Sequence, residues 1–372
     1  MSTTDIYSRL GARPVINASG NTTVWGGSTP SPAVRQAMEE ASSYWVEMEE
    51  LLERSGELIA DLLGVEAAYP TAGCYSALVL STTALMTGKD PDKMARLPDT
   101  TGMKNELVFQ AAQAYAYDRS YTTPGGKLIK VGDESGCTIE QMEAAIGPNT
   151  AAIAYFVKKD WGDTLVTYDE AVDLANKHGL PILADCAAQI YPLDYFRQNA
   201  QKADLACFGG KYMGAPHSTG FLCGKKELVE AAVGHGFIAS GKPFGRAMKM
   251  DRQEIVGLAT ALSEWYSTDH EERILIAGGK LGIIEDVVRN LSVVTDTSMP
   301  HDDSFAAISL HVNLNTDGLG KGAEQVVEEL SNMTPRIRAE AQGTDTLVFV
   351  AHNLQDGESE IVADSLRAVL TG

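Results

Sequence analysis

The sequence has few of the features that mark disulfide-bonded, metal-binding and nucleic-acid-binding proteins. Its five cysteines are scattered, odd in number and without a CxxC pair (Cys74, Cys137, Cys186, Cys207 and Cys223). This gives no basis for a zinc site or a disulfide framework, and it favours a reducing compartment. Basic residues are also scarce, with 30 Lys and Arg against 50 Asp and Glu and a formal charge of −20. Such a balance argues against a surface for nucleic acid or for anionic lipid.

Long hydrophobic runs are missing as well. The most apolar stretch, residues 72–88, is interrupted by Ser76, Ser81, Thr82 and Thr83 and is shorter than the roughly 20 apolar residues of a membrane span. The first ten residues, MSTTDIYSRL, contain no apolar core of a secretory signal. We therefore predict a cytoplasmic protein. A hydrophobic fraction of 44% in 372 residues is sufficient for a globular core and roughly two domains.

The middle of the chain alternates short apolar runs with helix signals. Two of these signals are capping boxes, Thr138 with Gln141 and Thr167 with Glu170, in which side chains and backbone N–H groups satisfy each other. Alternating strands and helices predict a largely parallel sheet covered on both faces. The predicted strands are residues 65–69, 106–110, 127–131, 151–157, 181–185, 204–208 and 220–223.

The pattern changes after residue 224. Helices are predicted at 252–267 and 270–290, followed by a strand (305–314), a helix (320–332), two strands (336–341 and 345–351) and a helix (357–370). We expect an N-terminal arm with helices over 1–60, a large domain over 61–270 and a small C-terminal α+β domain over 271–372.

Ligands of open parallel α/β sheets bind at the carboxyl ends of the strands, and three positions there are candidate ligand sites. The turn Thr71-Ala-Gly-Cys-Tyr-Ser76 presents backbone N–H groups at the start of a helix, which suits a phosphate, although a tight turn without a ligand has the same sequence. Asp185 ends a buried strand and could bind a metal, a ribose or a ring N–H⁺, or cap a helix. No cluster with ligand spacing surrounds it, so a metal is the least favoured choice.

The third place is Lys211, which follows Gly209 and Gly210 at a strand end. The glycines allow a close backbone approach, and the lysine could project from the sheet edge or lie in a surface loop. A Walker A loop is excluded because GxxxxGK[ST] is absent. A phosphate turn, Asp185 and then Lys211 are together the parts that hold pyridoxal phosphate (PLP). The lysine forms a Schiff base, the aspartate pairs with the pyridinium nitrogen and the helix N-terminus takes the phosphate.

Several stretches resemble fold-type I PLP enzymes, the aspartate-aminotransferase superfamily. They are most similar to the branch related to bacterial selenocysteine synthase, which includes D-glucosaminate-6-phosphate ammonia-lyase-like proteins. The similar stretches are RPVINASG (13–20), LPDTTGMKNE (97–106), the strand that ends at Asp185, GGK (209–211) with GAPHSTG (214–220), and GRAMK (245–249) with EIVG (254–257).

The resemblance implies a fold and a set of roles. The fold is that of the PLP-dependent transferases, with a large, mostly parallel seven-stranded α/β/α domain and a small C-terminal α+β domain. Lys211 would be the Schiff-base lysine and proton shuttle, and Asp185 would bind the pyridine nitrogen. Ala72, Gly73 and Cys74 would bind the cofactor phosphate. Gln113 would lie against the face of the cofactor ring. Near the substrate would lie Asn17, Thr22 and Arg246, with Arg338 as the carboxylate clamp and Arg336 competing for that role.

The sequence departs from the family before the lysine, where many relatives carry a Ser or Thr that reaches the phosphate. Here Phe208-Gly-Gly precedes Lys211. Ser218 and Thr219, with Thr71 and Ser76, are therefore added as phosphate candidates. No metal is expected. The resemblance also implies at least a homodimer with a small-molecule substrate. Because of the charge of −20, we expect neither nucleic acid nor a membrane as partner.

The leading interpretation is a PLP-dependent lyase of the ammonia-lyase type, acting on a small polar amino acid or amino-sugar acid. An aldolase, a racemase or an aminotransferase would use the same Schiff base, so the sequence barely separates them. A third reading is a non-catalytic α/β protein that binds a metabolite. It predicts a colourless protein in which Lys211 is dispensable.

Overall fold

The chain folds into two compact units, as seen in a computed structural model that describes residues 6–159, 161–302 and 307–372. The larger unit is Thr29–Ser267, and the smaller one comprises the described parts of Met1–Ser28 and Thr268–Gly372. Residues 1–60 thus form no unit of their own, in contrast to the expected division at 60 and 270. The reason is a strand pairing, since residues 15–17 pair in parallel with residues 336–338.

The larger unit carries seven strands and ten helices among its described residues. The strands are β2 (Ala67–Thr71), β3 (Glu106–Gln110), β4 (Lys127–Val131), β5 (Thr150–Phe156), β6 (Ile182–Asp185), β7 (Leu205–Gly209) and β8 (Gly220–Gly224). The helices are α2 (Pro32–Ser42), α3 (Met48–Leu63), α4 (Gly73–Thr87), α5 (Pro91–Arg96), α6 (Arg119–Thr122), α7 (Ile139–Ala144), α8 (Tyr168–His178), α9 (Leu193–Lys202), α10 (Lys226–Val233) and α11 (Arg252–Ser267).

The seven strands form one sheet in the order β2-β8-β7-β6-β5-β3-β4. All neighbours are parallel except β8, which runs antiparallel to both β2 and β7. The prediction of a seven-stranded, mostly parallel sheet is confirmed. Its inner strands, such as β5 and β7, are nearly continuous apolar runs because helices cover both faces. Side chains of β3, β6 and β7 pack with α4 in the main core, including Leu107, Leu183 and Leu205 with Leu78 and Leu80.

The smaller unit joins both ends of the chain. It contains α1 (Ile6–Arg9), β1 (Val15–Asn17), α12 (His270–Val288), β9 (Val294–Ser298), β10 (His301–Asp302), β11 (Ala307–Leu314), α13 (Thr316–Leu319), α14 (Ala323–Asn332), β12 (Arg336–Arg338), β13 (Glu340–Gln342), β14 (Thr346–Val350) and α15 (Glu358–Thr371). Strands β9, β10, β11, β13 and β14 form an antiparallel sheet on which α12 packs, and β1 pairs with β12. Across the described ranges, every helix is too short or too polar to cross a bilayer.

Candidate active site

Asp185 is the last residue of β6 and lies at the carboxyl edge of the large sheet. Its register partners are Phe156 on β5 and Cys207 on β7, so the three side chains share one face of the sheet. That face is covered by α4, whose Cys74 donates its thiol hydrogen to Asp185 Oδ1 at 3.5 Å. The backbone N–H of Ala187 donates to the same oxygen at 3.1 Å. These contacts fix the carboxylate beside the N-terminus of α4.

The carboxyl group of Asp185 is nearly inaccessible, with 2% of the residue exposed. Burial raises the pKa of Asp185 to about 6, although the hydrogen bonds from Ala187 and Cys74 act to lower it. A buried carboxylate is costly unless it is paired with a positive charge. The site therefore favours a cationic partner, such as a protonated ring nitrogen.

Lys211 lies directly after the neighbouring strand, in a short 3₁₀ turn, Gly210–Met213. Gly209 donates its N–H to the carbonyl of Ala187 at 3.0 Å, which joins the loop after Asp185 to the end of β7. A Cβ on Gly210 would stand 2.3 Å from Oγ1 of Thr219, so a larger residue there would need a rearrangement. The two glycines hence serve close packing that places Lys211 next to the Asp185 loop.

The amine of Lys211 is half-buried, with Nζ 5.0 Å from the centroid of the Tyr212 ring. Burial lowers the pKa of Lys211, which increases the share of neutral amine. Burial raises the pKa of Tyr212 to about 12 and keeps that phenol neutral. The pKa of His217 is lowered, first by burial and then by the charge of Lys211, and its buried Nδ1 has no hydrogen-bond partner among the described residues.

The turn before α4 has the properties expected of an anion site. Ala72 is the N-cap residue and supplies no side-chain cap, Gly73 has a φ of +81°, and the first turn of this 15-residue helix contains no acidic residue. The hydroxyls of Thr71 and Ser76 donate to the carbonyls of Gly73 and Ala72 at 3.0 and 2.8 Å and hold the turn in shape. An uncapped helix N-terminus favours a negatively charged ligand.

Ser218 and Thr219 approach this turn differently. A Cβ on Gly73 would lie 3.7 Å from the carbonyl oxygen of Ser218, so the backbones are adjacent. The exposed Ser218 hydroxyl donates to Glu254 of α11, whereas the buried Thr219 hydroxyl donates to the carbonyl of Pro216 at 2.7 Å. Ser218 therefore lies beside the turn with its hydroxyl bonded to a carboxylate, and Thr219 supports the Gly210 backbone.

Gln113 is buried on the loop after β3, and its amide is bonded in both directions to the backbone of Phe156, at 3.2 and 3.3 Å. The residue two positions on, Tyr115, donates its hydroxyl to Asp185 Oδ2. The sequence analysis selected Gln113 for the ring face but not Tyr115. Its contact with Asp185 depends on residues that are distant in the sequence, so no local pattern indicates it.

Arg246 lies in a 3₁₀ turn, Phe244–Ala247, on the surface of the larger unit. Its guanidinium donates to the carbonyl of Phe237 at 3.4 Å and lines a surface cavity of about 510 Å³ with Lys242 and Phe244. Its predicted role near the substrate stays a prediction.

The smaller unit brings together three of the predicted substrate residues. Asn17 and Arg338 are register partners on β1 and β12, and Ala18 donates its N–H to the carbonyl of Arg338 at 2.8 Å. Thr22 donates to the carbonyl of Ser19 at 3.0 Å, and Ser19 in turn donates to Asn17 Oδ1. The guanidinium of Arg338 stacks 4.3 Å from the Trp25 ring centroid.

The residues of the larger unit fit PLP. The cofactor needs an acceptor for a ring N–H⁺, an amine for its aldehyde and donors for its phosphate. Asp185, Lys211 and the turn before α4 offer these groups, and the unpartnered Nδ1 of His217 adds a further polar atom. Within the described ranges, no three His, Cys, Asp or Glu side chains are grouped as a metal site requires.

Comparison with known proteins decides the family. The aminotransferase class-V family model matches residues 110–244. A 5'-C-glycyluridine monooxygenase-decarboxylase from Streptomyces sp is 31% identical over 89% of this chain and 83% of its own length. The chain belongs to the fold-type I PLP-dependent enzymes.

Further similarities place the chain in the branch related to selenocysteine synthase. D-glucosaminate-6-phosphate ammonia lyase from Salmonella typhimurium is 29% identical over 99% of this chain and 98% of its own length. An L-seryl-tRNA(Sec) selenium transferase from Moorella thermoacetica is 24% identical over 98% of this chain. A solved structure of D-glucosaminate-6-phosphate ammonia-lyase superposes with a TM-score of 0.86 at 26% identity, covering 100% of this chain and 99% of that one.

These findings confirm the predicted fold, the predicted branch and the predicted cofactor of this PLP-dependent enzyme. They also support lyase chemistry, because the relative that aligns over almost its whole length is an ammonia lyase. The roles of individual residues stay predictions that the geometry makes specific.

Proposed function

We propose that this PLP-dependent enzyme is an ammonia lyase that acts on an acidic 2-amino sugar with a hydroxyl on Cβ. The observation that carries the proposal is the pair of groups at the ends of β6 and β7. Burial raises the pKa of Asp185, so its carboxylate requires a cationic partner. Burial also lowers the pKa of Lys211, which increases the share of its neutral amine. The strands that these two residues end and follow, β6 and β7, are neighbours in the sheet.

PLP, when bound, supplies an electron sink that makes a proton on the substrate Cα acidic. Asp185 would accept a hydrogen bond from the ring nitrogen, which would keep that nitrogen positive. The neutral amine of Lys211 takes the proton from Cα and, as an ammonium, can give a proton to the departing β-hydroxyl, which leaves as water. Hydrolysis of the resulting enamine consumes one water and yields a 2-keto acid and ammonia.

The turn before α4 would hold the cofactor phosphate with its backbone N–H groups, since no side chain caps that helix. In the smaller unit, Arg338 would bind the substrate carboxylate. The Nε atoms of Arg336 and Arg338 are buried and have no hydrogen-bond partner among the described residues. A planar guanidinium suits bidentate binding of a carboxylate or phosphate, which supports a substrate with more than one acidic group.

D-Glucosaminate 6-phosphate is the first substrate to assay, because the relative that acts on it aligns over 98% of its own length. We also propose a cytoplasmic homodimer as the smallest functional form. Five free cysteines support the reducing compartment. Sedimentation velocity of the purified holoenzyme tests the oligomeric state, and a monomer at micromolar concentration would refute the dimer.

The decisive assay measures ammonia and 2-keto acid from D-glucosaminate 6-phosphate, D-glucosaminate and a panel of β-hydroxy amino acids. We expect equal amounts of both products from an acidic amino-sugar substrate. An aldehyde with glycine would indicate an aldolase, inversion at Cα a racemase, and a requirement for a keto-acid acceptor an aminotransferase. Each of these outcomes would refute the lyase.

A further inference from the structure

The carboxylate of Asp185 receives hydrogen bonds on both of its oxygens. Oδ1 accepts from the Cys74 thiol and from the Ala187 N–H. Oδ2 accepts from the hydroxyl of Tyr115, which comes from the loop after β3. A carboxylate has about four acceptor positions, so three donors leave room for one more, the ring nitrogen of the cofactor.

Tyr115 is itself held in place by aromatic packing. Its ring stacks on Phe156 with centroids 4.5 Å apart and an interplanar angle of 9°, and Tyr117 meets it edge-on at 5.4 Å. Phe156 is the register partner of Asp185, so the strand that supports the ring is the neighbour of the strand that carries the carboxylate. The Tyr115 N–H also donates to Asp118 Oδ1 at 3.2 Å. The hydroxyl is thereby aimed at Asp185 by fixed elements.

We propose that Tyr115 is a positioning residue that fixes the orientation of Asp185 and favours its charged form, and so controls how firmly the ring nitrogen of PLP is held. Tyr115 acts through Asp185 rather than on the reacting atoms. The inference rests on the cofactor chemistry of the proposed function and not on the identity of its substrate.

A hydrogen bond from a neutral hydroxyl to a carboxylate is stronger than one between neutral groups and stabilises the ionised state. In the part of the chain that the structure describes, four other titratable groups interact with Asp185, and none of them supplies a compensating charge. Burial raises the pKa values of Cys74, Cys186, Cys207 and Tyr212, which keeps all four neutral near pH 7. Loss of the Tyr115 hydroxyl removes one of the three donors that offset the burial of this carboxylate.

Three variants separate the hydroxyl from the ring. Tyr115→Phe keeps the ring that stacks on Phe156 and removes only the donor, whereas Tyr115→Leu removes both. Tyr117→Phe is the matched control, since it deletes a hydroxyl from the adjacent, half-exposed tyrosine. Thermal unfolding of each variant establishes that it is folded.

The first readout is the dissociation constant of PLP, from titration of the cofactor-depleted protein followed by visible absorption. We expect Tyr115→Phe to bind PLP about tenfold more weakly than the parent and Tyr117→Phe to match the parent. Unchanged or tighter binding by Tyr115→Phe would overturn the proposal. A loss seen only in Tyr115→Leu would also overturn it, because the ring alone would then account for the effect.

The second readout is the pH at which the visible band of the holoenzyme changes. A less charged Asp185 leaves the ring nitrogen less positive, so the cofactor-linked nitrogen of Lys211 keeps its proton to higher pH. We expect the midpoint of Tyr115→Phe to rise by about one pH unit, and an unchanged midpoint would contradict the proposal. Neither readout needs a substrate. A parent that binds PLP but releases no ammonia would therefore refute the proposed lyase and leave this test intact.

Discussion

Asp185 and Lys211 differ in charge, and burial shifts their pKa values in opposite directions for the same reason. Removal from water penalises the charged form, which is the carboxylate in one case and the ammonium in the other. The pKa of Asp185 rises to about 6 and that of Lys211 falls. The raised pKa of Asp185 means that its carboxylate needs a cationic partner to stay charged. The lowered pKa of Lys211 makes its amine available as a base. Both requirements are met by a cofactor with a basic ring nitrogen and an aldehyde.

Replacement of the lysine tests the second of these roles. Lys211→Ala removes the amine that takes the Cα proton, and general acid–base catalysis of this kind contributes about 10²–10⁴-fold. We expect kcat for ammonia release to fall by at least about 10³-fold, because the attachment of the cofactor is lost as well. Lys226→Ala, at an exposed position on α10, is the control and keeps the parental rate. Turnover by Lys211→Ala within tenfold of the parent would contradict the role given to Lys211.

The sequence could identify Asp185 and Lys211 because each follows an apolar run, and the ends of parallel strands meet at one edge. It could not identify Tyr115. That residue reaches Asp185 across 70 positions of the chain through a loop, and its orientation depends on a stacking partner, Phe156, in another strand. Local patterns of polarity contain no information on such a contact.

At the scale of elements, strand positions follow from apolar runs, since both faces of the large sheet are covered. Strands β3 and β4 have the predicted bounds, and the other five differ by one or two residues at one or both ends. Both capping boxes are present, at Thr138 with Gln141 and at Thr167 with Glu170. Helix α3 begins at Met48 and ends before Gly64, which has a positive φ. Strand ends were less predictable because they depend on hydrogen bonds to neighbouring strands.

The first residue of β8, Gly220, packs against the turn before α4, and this packing requires a residue without a side chain. A Cβ on Gly220 would stand 2.6 Å from the carbonyl carbon of Gly73 and 2.7 Å from the N of Cys74. Both are backbone atoms, so the turn must move. We expect Gly220→Ala to lower the free energy of unfolding by about 1–3 kcal/mol and to weaken PLP binding more than tenfold.

Urea unfolding and PLP titration measure the two effects. Gly147→Ala is the matched control, because a Cβ at Gly147 meets nothing within 4 Å and its φ is not positive. This control should change neither quantity measurably. Parental PLP affinity in Gly220→Ala would show that the turn before α4 does not hold the cofactor phosphate.

At the scale of the whole molecule, the division of the chain was the part least accessible from the sequence. The N-terminal residues up to Ser28 belong with the C-terminal unit because β1 pairs with β12, more than 300 residues later. A composition shift or a helix boundary gives no sign of such a pairing. By contrast, the acidic balance of the chain is a global property that can be counted from the sequence, and the absence of a nucleic-acid partner stays a prediction from it.

A buried histidine sets part of the acid stability of the larger unit. His235 is fully buried, is hydrogen-bonded to Thr87 of α4 at 3.0 Å, and has its pKa lowered by burial to about 4. Between about pH 6.5 and pH 4 the unfolded chain binds more protons than the folded one. Stability is therefore present above pH 6.5 and is lost as the pH falls towards 4.

We expect the His235 contribution to the free energy of unfolding to fall by about 2 kcal/mol between pH 7 and pH 4.5. Urea unfolding at both pH values, compared between the parent and His235→Asn, measures this contribution. The variant should show the smaller loss on acidification. An equal loss in the two proteins would mean that His235 is protonated in the folded state at pH 4.5.

The role of Lys211 as the residue that binds the cofactor underlies the proposed chemistry. The most direct test is to reduce the purified holoenzyme with borohydride, digest it and map the pyridoxyl adduct by peptide mass spectrometry. We expect a yellow protein whose visible band disappears on reduction, with the adduct on the peptide that contains Lys211. An adduct on another lysine, or a protein that stays colourless and unmodified after incubation with PLP, would contradict it.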